Sequence, residues 1–150
     1  MNQVNIKPMK EVLWLVVHCS CTKVTQNVTV EDIDRYHRSK NWAMIGYHYY
    51  ISKDGEIHIG RPENLAGAHV RHYNEHAIGI CYEGGMDASG RYADTRTAAQ
   101  KASLYHLLKD LKYQYPNAKI CGHRDFPNVA KLCPCYDCKT EYASLNSPTN

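Results

Sequence analysis

Apolar positions along the chain fall into short blocks separated by polar, Gly- and Pro-containing stretches. Residues 11–18 (EVLWLVVH) form a continuous run rich in Val and Leu that ends on His18. Its length suits a buried central strand better than a helix. Thr29 and Asp32 make a capping box that opens a helix over 30–40, with Ile33, Tyr36 and His37 as its inward stripe. Residues 46–51 (GYHYYI) read as a strand, Asp54-Gly55 as a hairpin turn, and 56–60 as the returning strand. Residues 61–76 are mostly loop, and 77–83 (AIGICYE) form another strand closed by Gly84-Gly85. Thr97 with Gln100 caps the longest helix, which runs to about Tyr115 before Pro116. Its predicted inner face is Ala98, Lys101, Leu104, Tyr105, Leu108 and Leu111. Residues 119–122 form a short strand delivering His123, and 124–136 a loop. Asp137 caps a short helix near 138–145, and residues 146–150 form a frayed tail. Strands and helices intermix without a linker or repeat. The prediction is a single α/β domain, core about 11–142, with a central mixed β-sheet flanked by helices.

Composition narrows the possible roles. The 150 residues carry 18 Lys+Arg and 15 Asp+Glu, a net charge of +3, too mild to argue for nucleic acid. No window approaches 18 consecutive apolar residues, so no membrane span is expected. The start, MNQVNIKPMKEV, lacks the apolar stretch and cleavage site of a secretory signal, so synthesis in the cytoplasm is expected. Seven Cys cannot all pair internally, which favours a reduced protein with one or more metal-ligating thiols.

The candidate chemistry lies at strand ends. His18 ends one strand and His123 another, and Cys133 follows ten residues later in a Pro-containing loop. Ligands so placed can converge over one edge of a sheet, and zinc accepts imidazole and thiolate. Three protein ligands leave a position open for a water that the metal would activate. Spacing alone is weak evidence among nine histidines. Cys135 and Cys138 form a CxxC, but no second pair completes a closed zinc site, and Pro134 and Asp137 make a thioredoxin-like reading poor.

The order and spacing of several segments give a more specific signal. These are VVHCSCT (16–22), GYHYYI (46–51), the DG hairpin followed by IHIGR (57–61), and AGAH (66–69). YNEHAIGICYEGG (73–85), CGHRD (121–125) and AKLCPCYD (130–137) complete the set. Together they resemble the zinc-dependent N-acetylmuramoyl-L-alanine amidases of the phage-lysozyme and peptidoglycan-recognition type, closest to small phage or prophage endolysins. The resemblance implies that zinc is held by His18, His123 and Cys133. It implies Tyr47 and Lys131 as catalytic residues and His69 as a substrate-cleft residue. It further implies zinc-dependent hydrolysis of the amide joining N-acetylmuramic acid to L-alanine. The expected partner is bacterial peptidoglycan, with no nucleic acid or membrane, and the expected state is a monomer acting on the wall after release or pore formation. Cys135 remains an alternative ligand to Cys133. Cys19 is expected to be a buried small hydrophobe, with oxidation or a second metal as the alternatives. The same fold could also serve as a non-catalytic muropeptide-binding module. His48 is expected to face away from Tyr47, His37, His58 and His106 to be structural or exposed, and His72 and His76 to rim the cleft.

Overall fold

A computed structural model describes residues 6–147. Its centre is a five-stranded sheet in the order β4-β3-β5-β1-β7. The strands are β1 (Trp14–Cys19), β3 (Tyr49–Ile51), β4 (Ile57–Ile59), β5 (Ala77–Tyr82) and β7 (Lys119–Gly122). β1 runs parallel to β5 and β7, β3 runs parallel to β5, and β4 is antiparallel to β3, so the sheet is mixed as expected. A separate two-stranded parallel ladder joins β2 (Thr22–Lys23) to β6 (Gly85–Met86).

The faces follow from alternation along the central strands. Leu15, Val17 and Cys19 of β1 and Ile78, Ile80 and Tyr82 of β5 pack with Leu104, Leu108 and Leu111 of α2 (Ala98–Gln114). On the opposite face, Cys81 packs with Tyr50, Ile45 and Ile33 of α1 (Val30–Ser39). Burying each large aliphatic side chain contributes roughly 1.5–3 kcal/mol. His18, one residue out of phase with Val17, therefore lies on the α1 side of the sheet.

Both capping boxes form: Thr29 Oγ1 accepts from Asp32 N, and Thr97 Oγ1 accepts from Gln100 N. The inner face of α2 differs from the predicted one. Gln100, Leu104, Leu108 and Leu111 are buried, whereas Ala98, Lys101 and Tyr105 are exposed. The Gln100 amide donates to Ile51 O and Glu83 O, which anchors the helix start over the strand ends and rotates the stripe. In α1, Ile33 and His37 are buried but Tyr36 is exposed.

The strand predicted over 46–51 is regular only from Tyr49. Residues 46–48 instead bond to several neighbours: His48 N donates to Gly79 O, and Ala68 N donates to Gly46 O. A Cβ at Gly46 would lie 2.3 Å from Ala68 O, so the crossing requires glycine there.

The chain end also departs from expectation. The helix predicted near 138–145 is two short ones, α3 (Cys138–Glu141) and α4 (Ala143–Asn146). Asn146, placed by sequence in a frayed tail, instead completes the edge strand. Its Oδ1 accepts from Ile120 N at 2.8 Å, and its Nδ2 donates to Ile120 O at 3.0 Å. Residues 148–150 of the predicted tail lie outside the described residues. Among the described residues, no helix is long and apolar enough to cross a membrane.

Candidate active site

Three elements bring His18, His123 and Cys133 together at the C-terminal ends of β1 and β7. His18 is the fifth residue of β1, opposite Cys81 of β5, and is buried. β7 stops at Gly122, whose N–H donates to the Asp125 carboxylate at 2.8 Å, and His123 begins a single 3-10 turn. The loop carrying Cys133 folds back onto this turn. Arg124 N donates to Cys133 O at 2.9 Å, and Tyr82 Oη donates to Pro134 O at 2.6 Å. A Cβ at Gly122 would lie 2.6 Å from Pro134 Cδ, so glycine lets the loop approach. The Cys133–Pro134 peptide is cis. One ligand atom from each of the three residues lies within 4.8 Å of the others. Cys19 N donates to Cys133 Sγ at 3.2 Å, a contact that favours thiolate.

A hydrogen-bond chain fixes the protonation of His18. His69 Nε2 lies 3.1 Å from Ala77 O, which can only accept, so the proton sits on Nε2. Burial, then the neighbouring His48, holds the His69 pKa well below its ordinary value, so the ring is neutral and its Nδ1 is bare. His18 Nε2 lies 2.9 Å from that Nδ1 and must donate to it. Burial and the fields of His69, His123 and Lys131 keep His18 neutral as well. Its Nδ1 is therefore unprotonated, as a metal ligand must be. The His69 ring occupies space that two glycines leave open. A Cβ at Gly79 would lie 2.7 Å from the ring, and one at Gly67 would lie 2.5 Å from it. His123 is also shifted down, by burial and then by Lys131.

Tyr47 and Lys131 border the same cleft, a cavity of about 530 Å³. The Tyr47 ring stands 5.1 Å from that of His18 and 5.5 Å from that of His37. Desolvation, then Cys81, raises the Tyr47 pKa well above its ordinary value, so the phenol stays a hydrogen-bond donor. Lys131 is exposed at the rim. His48 does face away from the cleft: Gly79 N donates to its Nδ1, and its Nε2 donates to Leu65 O.

Sequence reasoning missed one wall of the cleft. Tyr36, His37, Lys40 and Trp42 also line it. The Lys40 ammonium sits 4.7 Å above the Trp42 ring and 5.1 Å from that of Tyr36. His37 is structural, as expected, since its Nδ1 accepts from Gly46 N at 2.8 Å. The i, i+4 spacing of Tyr36 and Lys40 was the available signal, because it places both on one helix face. His72 and His76 do not line this cleft, and His76 Nδ1 instead donates to Glu11 O.

All seven cysteines are free. Cys138 is buried in the core beneath α2, whereas the Cys135 thiol approaches Gly85 O and the Cys19 thiol. The 135–138 pair thus has its two thiols in different surroundings. Cys135 is not part of the His18, His123 and Cys133 group, the metal-compatible cluster found among the described residues.

Comparison with known proteins agrees with this geometry. The N-acetylmuramoyl-L-alanine amidase family matches residues 8–136. The endolysin of Klebsiella phage KP32 is 38% identical over 139 residues, 93% of this chain and 91% of the phage protein. The N-acetylmuramoyl-L-alanine amidase LysC of Clostridium intestinale superposes with a TM-score of 0.75 at 33% identity, covering 92% of this chain and 87% of its own. A point mutant of Drosophila PGRP-LB, solved in complex with tracheal cytotoxin, shares the fold with a TM-score of 0.76 at 21% identity, covering 100% of this chain and 91% of its own. The chain belongs to the N-acetylmuramoyl-L-alanine amidase family and is an enzyme of peptidoglycan amide hydrolysis.

Proposed function

We propose that this amidase is a zinc enzyme of the endolysin type, with His18, His123 and Cys133 as the metal ligands. The observation that carries the reading is the convergence of two neutral imidazoles and one thiol within 4.8 Å. Two nitrogens and one sulfur suit zinc, and three protein ligands are the number a catalytic site uses. Zinc held there supplies Lewis acidity, activating a water and polarising the lactyl carbonyl of the substrate.

The chain's own residues do the rest. His69 is a positioning residue: by accepting from His18 Nε2 it holds that ring in the ligating tautomer. This role differs from the substrate contact expected of it, although its ring also borders the cleft. The Tyr47 hydroxyl donates a hydrogen bond to the oxygen that gains negative charge as the amide carbon becomes tetrahedral. The Lys131 ammonium adds positive charge at the rim and lies within the field of both histidine ligands. Tyr47 and Lys131 are the two donors from which a proton reaches the leaving amine. The substrate is peptidoglycan, and the lactyl-L-alanine amide is the bond cut. The protein works as a monomer, without nucleic acid or membrane as partner, on the wall after leaving the cytoplasm.

The test is mass spectrometry of purified peptidoglycan after digestion by the zinc-loaded protein, with His123→Ala in parallel. Stem peptides bearing a free L-alanine amine, absent with the variant, are expected. Intact wall in the presence of fully zinc-loaded protein would instead favour a muropeptide-binding module.

A further inference from the structure

Three thiols crowd the site without a part in the reaction above. Cys19 Sγ lies 3.6 Å from Cys21 Sγ and 3.9 Å from Cys135 Sγ. Cys19 is buried, and Cys21 and Cys135 are partly exposed on either side of it. Cys21 (φ 56°) and Cys135 (φ 73°) both have left-handed backbones, uncommon for residues other than glycine. Gly85 closes the cluster from below, where a Cβ would lie 2.4 Å from Cys19 Sγ and 3.7 Å from Cys135 Sγ. A role as a small core hydrophobe accounts for Cys19. It does not account for two partly exposed thiols held against it.

We propose that Cys19 and Cys135 are a reversible dithiol–disulfide pair that ties the ligand loop to β1. The two sulfurs stand 3.9 Å apart and must close to about 2.05 Å to bond. Cys135 is two residues from Cys133, and Cys19 N already donates to Cys133 Sγ, so the bond would clamp both ends of that contact. A link between residues 116 apart in sequence restrains the unfolded chain far more than the competing Cys19–Cys21 link between residues two apart. The oxidant is a low-molecular-weight disulfide such as glutathione disulfide. The Cys135 thiolate attacks one of its sulfurs, breaking that S–S bond and releasing one glutathione thiol. Cys19, its proton lost to water, then attacks the Cys135 sulfur and releases the second glutathione. Two protein thiols are thereby oxidised by two electrons, and one glutathione disulfide is reduced to two thiols.

The test uses the full zinc-loaded chain in buffers of graded glutathione disulfide to glutathione ratio. Free thiols are then blocked with N-ethylmaleimide and the digest read by mass spectrometry. Tryptic peptide 11–23 holds Cys19 and Cys21, and peptide 132–139 holds Cys133, Cys135 and Cys138. The expected product is these two peptides joined through Cys19 and Cys135, separated again by dithiothreitol. The link should persist in Cys21→Ser and vanish in Cys135→Ser. Thermal unfolding of the oxidised wild type should shift upward by roughly 5–10 °C. Three results would each overturn the proposal: full alkylation of Cys19 and Cys135 after oxidation, a disulfide confined to peptide 11–23, or a link through Cys133 or Cys138. Zinc content measured on the same samples reports separately on the assignment of Cys133 to the metal.

Discussion

At the residue scale, the site depends on which atom carries each proton. Ala77 O can only accept, and that single fact propagates through His69 to leave His18 Nδ1 free. Replacing His69 by Ala removes the acceptor while leaving the three proposed ligands in place. Zinc affinity, measured by competition with a chromogenic chelator, is expected to fall roughly 10–100-fold. Unchanged affinity would mean that His18 is oriented by other contacts. Tyr47 tests the other half of the chemistry. Tyr47→Phe keeps the ring packed against His18 and His37 but loses the donor. A fall in kcat of roughly 100-fold with full zinc content is expected from steady-state release of stem peptide. The six candidate residues could be named from the sequence because each sits in a short segment whose order and spacing resemble the family, and the fold gathers all six about one cleft. The positioning role proposed for His69 was not legible, since it rests on a hydrogen bond between residues 51 apart in sequence. The Tyr36–Lys40–Trp42 wall was hidden for a similar reason. The helical period placed Tyr36 on the inward stripe, and only the fold shows it exposed beside the cleft.

At the element scale, period and caps predicted most of the secondary structure. The central strands are continuous apolar runs because both faces of the sheet are covered, and the two helices begin at their capping boxes. What failed were positions governed by distant partners. α2 turns a different face inward because Gln100 bonds to the ends of β3 and β5. Asn146 looked like tail but supplies both a donor and an acceptor to Ile120, which lies on the edge strand β7. Asn146→Ala leaves that peptide N–H and C=O without these partners. The expected cost is about 1–3 kcal/mol, read from the urea midpoint. Because β7 leads directly into His123, zinc affinity should weaken as well. A variant as stable as the wild type would show that water satisfies the edge equally well.

At the scale of the whole molecule, the fold uses one face of its sheet for stability and the other for chemistry. The α2 face carries the aliphatic core, and the α1 face carries a group of enclosed histidines. That division predicts the pH dependence. Burial holds the pKa values of His37 and His48 down to about 4, and it places His18 and His69 well below their ordinary value. In the unfolded chain each titrates at about 6.5. Between those values the unfolded state binds more protons than the folded state, so stability rises with pH through the window. It is present in full above about pH 6.5 and is lost as pH falls toward about 4. His37 and His48 each contribute on the order of 3 kcal/mol at most. Urea titrations at a series of pH values should show the midpoint dropping steadily across this range, and a flat profile would contradict the burial argument. Protonation of the proposed ligands His18 and His123 competes with metal, so zinc affinity should also weaken as pH falls. His18, His123 and Cys133 are proposed to hold a catalytic zinc. X-ray absorption at the zinc edge of the loaded protein reads the ligand set itself. The expected shell is two nitrogen scatterers at about 2.0–2.1 Å, one sulfur at about 2.3 Å and one oxygen from an exchangeable water. Two or more sulfurs, or a closed shell of four protein ligands, would contradict it and place the metal in the cysteine cluster instead.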